Sequence, residues 1–238
     1  MSLFSFKDSD EKGAGKFLGL IIGSILTVLL VEWLWPDVIP FGLFEFWMFD
    51  GTIGEVLIAS WPIFAWGIGL TTIKVLTTRN DKRLNRQAES LLVAGCFISG
   101  FAGVFEEISF RWLIFYSEIV GYKIVNWILF GIPAWIFLHI AGPIANFFTL
   151  GYLEPILFNG LGWAVGAAVL SSNGKFRDGH INQGAFGWIN SWFAGMFLFY
   201  IMFQYGLLAS ILVHFLYDMF LFVVLYVDAA IERALGWI

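Results

Sequence analysis

Two adjacent acids and an arginine interrupt an apolar run at Phe105-Glu106-Glu107-Ile108-Ser109-Phe110-Arg111. On a helix, Glu107 and Arg111 are four residues apart with the acid first, so they share a face and can pair. Glu106 lies about 100° round from Glu107, on the neighbouring face. Arg111 then holds Glu107 ionised and leaves Glu106 free to take a proton from water, which is the task of a general base. His214 and Asp218, in His214-Phe-Leu-Tyr-Asp218, are again four apart, so the acid can orient the imidazole or share in binding a substrate. His139, which closes Trp135-Ile-Phe-Leu-His139, adds an imidazole on a separate segment.

Ionisable groups inside apolar segments are expensive unless paired or hydrated. A lone intramembrane His or Glu often does no more than bridge two helices. Two adjacent acids repel each other and are both penalised by desolvation, so a Glu pair with an Arg and two His-bearing segments points to chemistry. The remaining histidine, His180, lies in the polar stretch SSNGKFRDGHINQG and reads as a solvated loop residue outside the site.

The elements that must position these groups are apolar helices. The chain has 238 residues, 59% hydrophobic and 13% charged, with a mean hydropathy of +0.81. Soluble domains carry about 25% charged residues, so a soluble enzyme, a nucleic-acid binder and a disordered chain are all disfavoured. Apolar runs cover about Phe17–Trp35, Val56–Leu76, Leu91–Val120, Ile124–Ile140, Tyr152–Leu170, Gly187–Phe203 and Tyr205–Val227. They are too long and too unbroken to be strands. The expected fold is all-α, a polytopic transmembrane helical bundle of about seven (6–8) spans at roughly 20 residues each. The Leu91–Val120 run would reach about 45 Å as a helix, so it must tilt, protrude or break. Gly142–Pro143 and Glu154–Pro155 mark further candidate breaks.

No internal repeat or linker divides the chain, which reads as a polar segment 1–16 followed by one helical domain over 17–238. Small residues four apart (Gly19/Gly23, Gly95/Ser99/Gly103, Gly162/Gly166) predict close helix packing. Lys7, Lys12 and Lys16 precede the first run, and Lys74, Arg79, Lys82, Arg83 and Arg86 follow the second, whereas residues 36–55 hold four acids and no Lys or Arg. The positive-inside rule then puts the amino terminus and the 77–90 loop in the cytoplasm. The run TTRNDKRLNRQAES reads as a solvated topogenic loop rather than a nucleic-acid or lipid patch. Cys96 stands alone, so no intrachain disulfide is available.

These residues carry a family resemblance. Glu106, Glu107 and Arg111 as EExxxR, a later aromatic-x-x-x-His, and a last HxxxN/D at His214 and Asp218 resemble the CPBP family, over roughly residues 91–225. That family comprises the type II CAAX prenyl proteases and the bacterial bacteriocin-processing and self-immunity (Abi) proteins. Two features depart from the family pattern. Its second motif is usually FxxxH where Trp135 stands here, and residues 171–186 insert a polar loop before the last motif.

The resemblance implies an intramembrane endopeptidase of the glutamic type, hydrolysing a peptide bond in a membrane-associated or prenylated protein or peptide. Glu106 would activate a water with help from His139. His214 and Asp218 would stabilise the oxyanion, and Glu107 and Arg111 would hold the helix and set the electrostatics. No cofactor is expected. Two Glu and two His are also a plausible zinc-ligand set, but HExxH is absent and the metal-free mechanism is preferred. The competing functions are a catalytically silent CPBP-like scaffold or immunity protein and a proton-coupled transporter. The expected partners are the lipid bilayer and a peptide or protein substrate, with no nucleic acid. The membrane (plasma, inner or endoplasmic-reticulum) and the oligomeric state are left open.

Overall fold

The computed structural model describes residues 11–77, 88–149, 151–152, 154–158 and 161–235. Every element among them is helical. Helix α1 (Glu11–Leu34) is followed by an irregular segment, then by α2 (Ile53–Ala59) and α3 (Trp61–Thr77). Helix α4 (Ala88–Glu106) runs without a break into a π-helical segment (Glu107–Ile114) and α5 (Phe115–Ile128). After a turn at Phe130 and Gly131 come α6 (Ile132–Ile136), a second π-helical segment (Phe137–Ala141) and α7 (Gly142–Phe148). Short α8 (Glu154–Leu157), α9 (Trp163–Gly179), a 3-10 turn (Ile181–Gln183), α10 (Gly184–Tyr205) and α11 (Leu207–Ala234) complete the chain.

Among the described residues, three helices are long and apolar enough to cross a membrane: Leu92–Ile128, Ile181–Tyr205 and Leu207–Ile231. The bent pair Ile53–Ala59 and Trp61–Ile73, kinked by 46°, makes four if it counts as one span. Their outward faces carry large apolar side chains such as Phe97, Phe101 and Trp127. A soluble fold would bury such residues, and together these features mark a membrane protein. Lys7, Arg79, Lys82, Arg83 and Arg86, five of the eight basic residues behind the orientation expectation, lie outside the described residues.

Several boundaries depart from the sequence expectation. The Leu91–Val120 run is one continuous helical stretch that extends to Ile128, with a π-helical segment at Glu107–Ile114 and no break. Ile124–Ile140 is two helices separated at Leu129–Gly131, whereas Gly142–Pro143 lies inside a continuous helical stretch. The stretch 171–179 is helix, not loop: α9 carries Ser172, Asn173 and Phe176 fully into the bundle. Polar composition misleads here because inside a membrane bundle polar residues face other helices, not water.

The small-residue stripe Gly95/Ser99/Gly103 is buried and packs α4 against α11. A Cβ added at Gly103 would lie 3.3 Å from both Ile211 O and Phe215 N, so only a near-naked backbone permits this approach. Gly95 meets Phe222, so the two helices run antiparallel. Gly19 and Gly23, by contrast, have nothing within 4 Å of an added Cβ.

The segment 41–50 fastens the two halves of the bundle. Trp112 and Tyr116 donate to the carbonyls of Leu43 (2.7 Å) and Gly42 (2.8 Å). Leu207 and Leu208 N–H donate to Phe46 O (2.6 Å) and Met48 O (3.3 Å), which caps the first turn of α11. Gly206, with φ +91° and Met48 O packed on its Cα, lets α10 turn directly into α11.

Candidate active site

Five side chains from three parts of the fold meet in one place. Glu106 is the last residue of α4, and Glu107 is the first of the π segment. His180 caps the carboxyl end of α9, and His214 and Asp218 stand one turn apart on α11. Arg111, on the π segment, and Ser210, on α11, complete the group behind them.

The rear layer is sealed. Glu107 and Arg111 are 0% exposed and pair at 3.2 Å between Oε1 and Nη1. Their four-residue spacing thus pairs them as the sequence predicts, although the turn between them is π-helical. The same Oε1 lies 2.8 Å from His214 Nδ1, and Oε2 lies 2.6 Å from the Ser210 hydroxyl. A carboxylate so placed faces a cation and accepts from an imidazole and a hydroxyl at once, which is how a buried charge is made tolerable. The Arg111 guanidinium lies over the Phe176 ring at 4.1 Å and near Phe199 at 5.5 Å.

The front layer is partly open. Glu106 Oε2 lies 3.7 Å from His214 Nε2 and 3.8 Å from His180 Nε2, and Asp218 Oδ2 lies 3.7 Å from His214 Nε2. The Glu106, His180 and Asp218 side chains are 21%, 17% and 28% exposed, against 5% for His214. These separations exceed a direct hydrogen bond.

The partners of the two imidazoles assign their tautomers. His180 Nδ1 lies 2.8 Å from Phe176 O, and a carbonyl can only accept, so Nδ1 carries the hydrogen. His214 Nδ1 donates in the same way to the Glu107 carboxylate. In the neutral rings both Nε2 lone pairs are therefore turned toward the Glu106 carboxylate. Glu106 and the His180 lone pair favour a donor between them, which a water supplies, and His214 Nε2 accepts there when neutral and donates when protonated.

His139 is not brought to this cluster. It sits in the second π segment with its ring stacked on Trp135 at 5.0 Å, its Nδ1 2.9 Å from Trp135 O, and its side chain exposed. No interaction among the described residues joins it to Glu106, His180 or His214. The imidazole beside Glu106 is His180, which the sequence reading set aside as solvated. The signal was present: Phe176-Arg-Asp-Gly-His180 has the FxxxH spacing that Trp135–His139 only approximates. The expected polar loop concealed it. The other five expected site residues, Glu106, Glu107, Arg111, His214 and Asp218, do converge.

Among the described residues no three His, Cys, Asp or Glu side chains are disposed as they stand to hold a metal ion. The chain matches no known family profile, no curated protein and no solved structure. The CPBP resemblance rests on the motifs themselves.

Proposed function

We propose that the protein is an intramembrane endopeptidase of the CPBP type that cleaves a membrane-associated or prenylated peptide with a Glu-activated water. The observation that carries this reading is the pair of imidazole Nε2 atoms facing Glu106 Oε2 at 3.7 and 3.8 Å, backed by a sealed Glu107–Arg111 pair. In the reaction, a water held by Glu106 and His180 gives a proton to Glu106 as its oxygen bonds to the scissile carbonyl carbon. His214, protonated at Nε2, and Asp218, protonated or acting through His214, stabilise the oxyanion. The C–N bond then breaks, and Glu106 returns its proton to the leaving amine. The water is activated by the carboxylate, with no metal in the step.

The chain crosses the membrane about seven times in this proposal, with its amino terminus in the cytoplasm. Helices α1, α6–α7 and α9 join the three long spans and the bent α2–α3 pair. The apolar stretches Ile22–Leu34 and Ile132–Phe148 in the first two are short and need a locally thinned bilayer or snorkelling flanks.

The test is a comparison of new protein amino termini, by mass spectrometry, in membranes expressing wild-type protein or Glu106→Gln. Termini present only with wild type, and persisting in EDTA, are expected. If Glu106→Gln retains full biological activity with no lost termini, the protein works by binding, as a scaffold or immunity factor. If EDTA abolishes cleavage and zinc restores it, the site stands and the metal-free step falls.

A further inference from the structure

The sealed layer contains an accounting problem. Arg111 is 0% exposed, yet Nε, Nη1 and Nη2 have no hydrogen-bond acceptor, and only the 3.2 Å ion pair to Glu107 engages it. A guanidinium carries five N–H donors, and the Phe176 and Phe199 rings beside it offer no oxygen or nitrogen acceptor. Asn173 on α9 is also 0% exposed, and its Nδ2 donates to Trp192 O at 2.9 Å while its Oδ1 is unpartnered. Buried donors and acceptors left unpaired are costly and rare.

These two orphans are neighbours. A Cβ added at Gly195 would overlap Asn173 Oδ1 and lie 2.8 Å from Arg111 Nη2, so both atoms crowd the same bare Cα of α10. We infer that Asn173 is a positioning residue whose side-chain oxygen, one small side-chain rotation away, takes up the Arg111 Nη2 donor in the notch left by Gly195. The effect reaches the site through one atom. Glu107 Oε1 is shared by Arg111 Nη1 and His214 Nδ1, so the direction of the guanidinium sets how that oxygen meets the imidazole. Helices α9 and α10 thereby orient an imidazole that belongs to α11. The functional meaning rests on the proposed use of His214, but the geometry does not.

The test is NMR of protein labelled with ¹⁵N-histidine and ¹⁵N-arginine in lipid nanodiscs. Three histidines make the imidazole spectrum assignable with single His→Gln variants. In wild type, Arg111 should show resolved, slowly exchanging Nη protons; averaged signals from a freely rotating guanidinium would overturn the inference without any variant. In Asn173→Ala the His214 resonances should shift or broaden while those of His139 stay in place. Gly195→Ala leaves Asn173 present but drives it from Arg111, and should reproduce the change. Asn173→Asp keeps the acceptor oxygen and loses the donor to Trp192, and should restore the His214 signals toward wild type.

A lower melting temperature with His214 unmoved in both alanine variants would make Asn173 a packing residue and overturn the proposal. These readouts need no substrate, so they stand or fall separately from the protease reading. If cleavage is established, Asn173→Ala should lower kcat and leave KM unchanged.

Discussion

Replacing Glu107 with Gln preserves the shape of a fully buried side chain and removes only its charge. Arg111 would then sit at 0% exposure without its paired counter-charge, because the ion pair to Glu107 Oε1 is the main offset to its desolvation. Removing one partner of a buried ion pair typically costs about 3–5 kcal/mol, since the other charge stays behind uncompensated. The single amide oxygen of Gln can take the Oε1 position and keep the His214 donor, with its NH2 turned to the Ser210 hydroxyl, which can accept while donating to Leu198 O, so the loss should fall mainly on Arg111. Glu106 differs on every count: it is 21% exposed, and its nearest polar partners are 3.7 and 3.8 Å away. Glu106→Gln should therefore change stability by no more than about 1 kcal/mol.

The assay is reversible unfolding in mixed micelles or bicelles, with Arg111→Met and the Glu107→Gln/Arg111→Met double variant completing a cycle. Arg111→Met removes the charge that Glu107→Gln alone would strand, so the double variant should fall short of additivity by about 2–3 kcal/mol. A loss below about 1 kcal/mol in Glu107→Gln, or additive single variants, would show that Arg111 is satisfied elsewhere and refute the sealed-layer argument. A large loss in Glu106→Gln would show that Glu106 is structural, and its loss of activity could not then be assigned to chemistry.

Two further predictions concern the histidines and the topology. His180→Gln should reduce cleavage to the same extent as Glu106→Gln, about 10²–10⁴-fold if each takes part in proton transfer, while His139→Gln leaves it intact in a neo-terminus assay; the reverse result would restore His139 to the site. Cysteines placed singly at residues 79–86 should react with a membrane-impermeant thiol reagent only from the cytoplasmic side, and those at 40–50 only from the opposite side; inverted labelling would overturn the orientation drawn from the Lys and Arg distribution.

The helical, membrane-embedded character was legible because it rests on sums over long stretches, and neither the apolar length nor the scarcity of charge depends on tertiary detail. The Glu107–Arg111 pair and the His214–Asp218 turn were legible for a related reason: each lies on one element, where spacing alone decides the face. His180 was not legible. Its environment comes from α4 and α11, more than 30 residues away in either direction, and its local sequence is polar in the manner of a loop. His139 misled for the converse reason, because an apolar neighbourhood means burial in a soluble protein but can mean lipid exposure here. Asn173 and Gly195 carried no sequence signal, since their role depends on two helices meeting over a side chain from a third.

The two π segments show where local and tertiary causes divide. The second, Phe137–Ala141, precedes Pro143, whose ring would clash with the carbonyl four residues back and which has no N–H to donate. The wider turn is the local remedy, and the Gly142 N–H reaches Phe137 O in a five-residue step. The first, Glu107–Ile114, has no such cause: no proline occurs between Pro62 and Pro133. What holds it is outside it. Ser172 of α9 donates to Phe110 O at 2.5 Å, Trp112 donates to Leu43 O, and Glu107 and Arg111 are drawn toward α11 and Phe176. A π turn is a widened and weaker stretch of ladder that often marks functional sites, and here it starts at the second acid of the pair. The acids thus take different surroundings despite their adjacency, Glu107 sealed among donors and Glu106 at the open edge. A regular helix would place adjacent residues on adjacent faces in any protein. The contrast between one structural and one available carboxylate is imposed by the bundle on that ladder, through contacts from α9, α11 and the 41–50 segment.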